Sequence, residues 1–113
     1  MITIEKLKAY GANVEEGLQR CMNNEDFYLM LVNKSLANNQ IPNLEEAINN
    51  NDLQKAFEIA HALKGVYGNL SITPLYDAVV EITELLRNKV VMDYNPLVNK
   101  IKNLYQSLAD LAL

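Results

Sequence analysis

The amino-acid sequence predicts an all-α protein: an antiparallel four-helix bundle with one or two short N-terminal helices. Three observations carry this expectation. Apolar residues recur at three- and four-residue spacing with little strict alternation, the period of helices buried on one side. Helix formers dominate, and only four glycines and three prolines interrupt 113 residues. Gly11 and the three prolines fall at or near turn and capping residues, so the helices are joined by short connections, which favours antiparallel neighbours.

The elements follow in order. A first helix covers about Ile4 to Tyr10 and stops at Gly11. Asn13 is placed to cap a second short helix through about Met22. Asn24 caps a longer one, whose turns are filled by Phe27, Met30, Leu31, Lys34 and Leu36. Pro42 interrupts or kinks it near Gln40, and the pattern continues from Leu44 to Asn50, either as a second helix or beyond a bend in one. Asn49-Asn50-Asn51 is a turn signal, and Asp52 is a good N-cap for a helix running to about Leu70. Ser71-Ile72-Thr73-Pro74 is a restart, with Thr73 at the N-cap and Pro74 at the first helical position. That helix reaches about Arg87. Asp93-Tyr94-Asn95-Pro96 is a second restart, and the last helix is expected to run to the C-terminus.

Residues 1–113 read as a single domain, without repeats, low-complexity segments or a dividing linker. Half of the residues are apolar, enough to bury a core without disulfides or metals. Cys21 is the only cysteine, so no internal disulfide can form. A net charge of −4 argues against nucleic acid, whose phosphates need a basic footprint, and against an anionic membrane surface. No apolar run is long enough to span a bilayer. The segment Ile2–Ala9 carries Glu5, Lys6 and Lys8 and does not form the apolar stretch of a signal peptide. The expectation is a cytoplasmic monomer whose bundle closes its own core.

The Asp52–Leu70 helix has an unusual face. Projected at roughly 100° per residue, Leu53, Ala56, Ala60, Leu63, Tyr67 and Leu70 fall in one sector centred about 130° from His61, the only histidine. That sector is the buried seam, so His61 is expected on the solvent side. Phe57, Lys64, Gly65 and Gly68 share its ridge, within about 60° of it. An apolar Phe57 among solvent-facing residues is expected to meet a protein partner. Gly65 and Gly68 lie inside a helix at a cost of about 1 kcal/mol each relative to alanine, which an open approach to the imidazole would justify. Lys64, one turn on, can neutralise an anion on the ring as a point charge.

Ala60-His61-Ala62-Leu63-Lys64-Gly65, followed by Gly68-Asn69-Leu70, resembles the motif of histidine-containing phosphotransfer (HPt) domains. Asn50-Asn51-Asp52-Leu53 upstream and the restart at Thr73-Pro74 are also similar to that family, and the resemblance covers roughly Asn24 to Leu113. It implies a four-helix bundle and a phosphorelay carrier of two-component signalling. His61 would accept a phosphoryl group from the aspartyl phosphate of a receiver domain and pass it to another receiver. Lys64 would balance the phosphoryl charge, Gly65 would keep the approach open, and Phe57 and Gly68 would meet the partner. Val66 and Tyr67 depart from the small residues common there in the family. The implied partners are response-regulator receiver domains and a hybrid sensor kinase. The length and the start at Met1 suit a free-standing carrier, with a piece of a larger hybrid kinase as the alternative.

A neutral imidazole is a competent nucleophile near neutral pH, since its reference pKa is about 6.5. Phosphoryl transfer depends on positioning and charge stabilisation, and Mg²⁺ with its acidic ligands is expected on the receiver alone. The chain has no Walker or kinase glycine-rich loop and no histidine or cysteine cluster, so neither ATP binding nor autokinase activity nor a cofactor is expected. Three alternatives remain on sequence: a helical module that docks a response regulator without being phosphorylated, a structural bundle that buries Phe57 in a self-interface, and a helical enzyme pairing Glu58 with His61.

Overall fold

The structure, a computed structural model, describes all residues from Met1 to Leu113. Seven helices follow one another: α1 (Ile4–Tyr10), α2 (Val14–Arg20), α3 (Glu25–Ala37), α4 (Ile41–Asn49), α5 (Leu53–Asn69), α6 (Thr73–Arg87) and α7 (Asn95–Asp110). There is no strand, so the all-α expectation holds.

Local chemistry sets most boundaries. The Oδ1 atoms of Asn13, Asn24 and Asp52 each accept a bond from the amide three residues on, satisfying donors that a helix start leaves open. Gly11 ends α1 at φ 113°, a conformation that side chains resist, and its amide returns to the carbonyls of Leu7 and Lys8.

Three boundaries differ from the sequence expectation, and the break at Pro42, left open there, is settled. Pro42 makes a full break: α3 stops at Ala37 and α4 starts at Ile41, with Pro42 in its first turn, where a missing amide is harmless. Asn39 Oδ1 accepts from Ile41 N across that break. The second helix ends at Arg20, not Met22, because Met22 and Asn23 both take positive φ. Thr73 is the first helical residue and not the cap; Ile72 holds the cap position and no side chain caps the start. The last helix stops at Asp110, where the amides of Leu111 to Leu113 tighten to carbonyls three residues back; Lys6 Nζ and the Met1 ammonium bond the carbonyls of Leu111 and Ala112, where positive charge suits a helix end.

Helices α4 to α7 form the bundle. The α5 and α6 helices lie along each other, α4 packs on α5, α7 on α6, and α4 and α7 close the ring, where Lys102 Nζ pairs with Glu45 Oε2 at 3.0 Å. The α3 helix lies beside the C-terminal half of α5. It is tied there by Tyr28, whose hydroxyl donates to the Leu70 carbonyl, while Tyr105 of α7 donates to the Leu36 carbonyl. The core joins Leu44 and Ala47 of α4, Ala56, Ala60 and Leu63 of α5, Val79, Ile82 and Leu86 of α6, and Val98, Ile101 and Leu108 of α7.

Candidate functional site

The buried seam of α5 is the one its periodicity predicts. Ala56, Ala60, Leu63, Tyr67 and Leu70 are all buried, and Leu53 is half-buried. A helix that buries one stripe exposes the other, and His61 is on the exposed side. Its imidazole makes no hydrogen bond and no ion pair within the chain.

What surrounds the imidazole is specific. Phe57, one turn earlier, stacks on it with ring centroids 5.7 Å apart and planes inclined by 24°. This lies within the range of favourable offset stacking. Phe57 is half-buried, so the sequence expectation of a solvent-facing apolar ring needs correction. Its ring packs against the core and also carries a cation, for the Arg87 guanidinium lies over it at 5.1 Å from the centroid. Arg87, in the last turn of α6, is also paired with Glu84 at 3.4 Å. On the other side of His61, Lys64 is half-buried and has no ion-pair partner.

The two helical glycines differ. At Gly65 an added Cβ would meet nothing within 4 Å, so the surface beside the imidazole is open. At Gly68 it would stand 2.9 Å from a ring carbon of Tyr76. The small residue there admits the Tyr76 ring from α6, a reason inside the chain that the expectation of an open docking surface did not include. Glu58 accepts from Gln54 Nε2 at 3.3 Å and not from His61, so the acid–base pair considered on sequence is not formed.

Two grooves run along α5 past this ridge. One, of about 510 Å³, is walled mostly by polar residue types and is lined by Lys64, Gly68, Tyr76, Arg20 and Asp77 among others. The other, of about 460 Å³, lies between α3 and α5 and is apolar in its walls, with Leu31, Ala62, Leu63, Val66 and Leu70. Arg87 and Tyr76 were not found by sequence reasoning. Both sit on α6, and no spacing within α5 could reveal them.

The arrangement presents an uncommitted nitrogen nucleophile, stacked on an aromatic ring, with an unpaired ammonium one turn away and an unobstructed approach. A family model for the Hpt domain matches residues 34–111, which takes in α4 to α7 and the end of α3. No curated protein and no solved structure matches the chain. The matched span is well over half of the sequence and contains the bundle and the whole His61 ridge, and the chain therefore belongs to the Hpt domain family, the phosphotransfer carriers of two-component signalling.

Proposed function

We propose that His61 is the phosphoacceptor and that the protein relays phosphoryl groups between receiver domains. An imidazole nitrogen attacks the phosphorus of a receiver's aspartyl phosphate in line. The P–N bond forms as the P–O bond to the aspartate breaks, and the carboxylate leaves. Attack on the resulting phosphohistidine by an aspartate of a second receiver reverses the step. Lys64 neutralises charge on the phosphoryl oxygens, and Gly65 lets the receiver surface reach the ring. The receivers supply Mg²⁺ and its acidic ligands, since transfer of this kind needs charge stabilisation more than covalent help. The observation that carries the reading is the imidazole itself: exposed, free of any hydrogen-bond or ionic partner, and flanked by an unpaired lysine and an open glycine.

The test mixes the protein with a receiver domain carrying radiolabelled aspartyl phosphate. Acid-labile label is expected on the wild type and is expected to be absent from His61→Gln. Because His61 is the only histidine, label persisting in that variant overturns the assignment. Complex formation without any label on the wild type would mark a docking module.

A further inference from the structure

We infer that Phe57 and Arg87 are positioning residues for the His61 imidazole, Phe57 directly and Arg87 through the Phe57 ring. The inference rests on the phosphoacceptor reading above and concerns what makes His61 productive.

An exposed histidine on a helix has no intrinsic reason to hold its ring in one orientation. His61 lacks the usual device, a hydrogen bond from one ring nitrogen to a carbonyl or carboxylate. The neighbouring carboxylate, Glu58, accepts from Gln54 instead. The contact that defines the ring plane is the stack on Phe57, at 5.7 Å and 24°. Four residues apart on one helix, the two side chains are neighbours on the same face.

The platform is itself held. One part of Phe57 packs against the core, and its ring face attracts the Arg87 guanidinium at 5.1 Å, since aromatic faces carry negative potential. Arg87 is held in turn by Glu84, one turn back on α6. The register of α5 against α6 brings these groups together. Phe57 to Gly68 and Tyr76 to Arg87 are both eleven-residue steps, so one antiparallel alignment seats Tyr76 on Gly68 at one end and Arg87 on Phe57 at the other. The chain Glu84–Arg87–Phe57–His61 thus links the frame of α6 to the nucleophile on α5. Productive transfer tolerates only about 0.5 Å and 10–20° of misplacement, which a freely turning surface side chain does not meet.

Two measurements test this together. The first is NMR of the His61 ring protons, which the Phe57 ring current shifts upfield in the stacked geometry. The second is single-turnover transfer from a phosphorylated receiver, read as the rate at saturation and the receiver concentration giving half that rate. Phe57→Leu keeps an apolar side chain but removes the aromatic face. It is expected to abolish the upfield shift and to lower the saturated rate roughly tenfold, below the 10²-fold of a full ångström misplacement, with the half-saturating concentration unchanged. Arg87→Gln is expected to give a smaller loss of both, and Arg87→Lys, which keeps a cation over the ring, to restore most of it. A Phe57→Leu variant that transfers at the wild-type saturated rate overturns the inference, as does a change confined to the half-saturating concentration, which would make Phe57 a docking residue. Absence of label from the wild type sinks the phosphoacceptor reading as well. Label on the wild type with Phe57→Leu unimpaired sinks this inference alone.

Discussion

Nothing lies within 4 Å of the Cβ that a larger residue would add at Gly65, whereas at Gly68 that atom would stand 2.9 Å from Tyr76. Two glycines on one helix face therefore answer to different constraints, and substitution separates them. Gly65→Leu projects into solvent and replaces a poor helix former by a good one, worth about 0.8 kcal/mol in a helix interior. It is expected to leave the thermal unfolding midpoint unchanged or slightly raised while abolishing label transfer, because the side chain then covers the approach to His61. A lower midpoint would mean that the position is not open. Gly68→Leu is expected to cost about 1–3 kcal/mol by overpacking against Tyr76, and a double-mutant cycle with Tyr76→Ala should recover most of that loss. The ridge was legible in the sequence as one helix face, of which His61 and Gly65 are exposed while Phe57, Lys64 and Gly68 are half-buried. Their individual reasons were not, because a spacing pattern records that a residue is small without recording what occupies the space.

The α5 helix carries core residues and the candidate site on opposite faces, so the two can be broken independently. Leu63 is buried in the seam, two positions from an exposed His61. Leu63→Asp places an unpaired charge in the core, which strongly destabilises. The bundle is expected to unfold, read as loss of cooperative melting by circular dichroism. A folded Leu63→Asp protein would show the helix rotated from the orientation described. This face was predictable because helical periodicity is a property of the backbone: once the residues form a helix, their angular positions follow. The break before α4 was less so. Pro42 signals an interruption, but whether the chain bends or stops depends on the turn at Asn38 to Gln40, where Asn39 caps Ile41.

Across the whole molecule, buried phenols join the helices and create a pH dependence. Tyr28 is fully buried, donates to the Leu70 carbonyl at the end of α5, and has its pKa pushed up to about 12 by burial and, secondarily, by Cys21. Tyr10, which donates to the Leu104 carbonyl, is raised to about 12 by burial, and buried Tyr67 is raised further by burial and then by Tyr105 and Tyr10. In the unfolded chain these groups ionise near their reference value of about 10. Above that pH the unfolded state binds fewer protons than the fold, so stability falls as pH rises. Stability is expected to be complete below about pH 10 and to decline between about pH 10 and pH 12. Urea midpoints measured from about pH 9 to about pH 11 check this. A flat profile would contradict it, and Tyr28→Phe should flatten the profile in part. The same variant should cost about 1–3 kcal/mol near neutral pH by leaving the buried Leu70 carbonyl without its donor.

By itself the sequence determined the helical class, most of the helix starts and ends, the seam of α5, and the exposure of His61 beside Lys64 and Gly65. All of these follow from the local period of a helix and the hydrogen-bonding needs of its ends. Only the tertiary structure decided which groups of α6 face that ridge: Tyr76 fills the space at Gly68, Arg87 covers Phe57, and Phe57 turns from a free apolar ring into the support of the imidazole. The difference is physical. A helix face is set by the dihedral angles of its own residues, whereas the register of two helices is set by the turn that joins them and by packing along their length, which no spacing within either one contains.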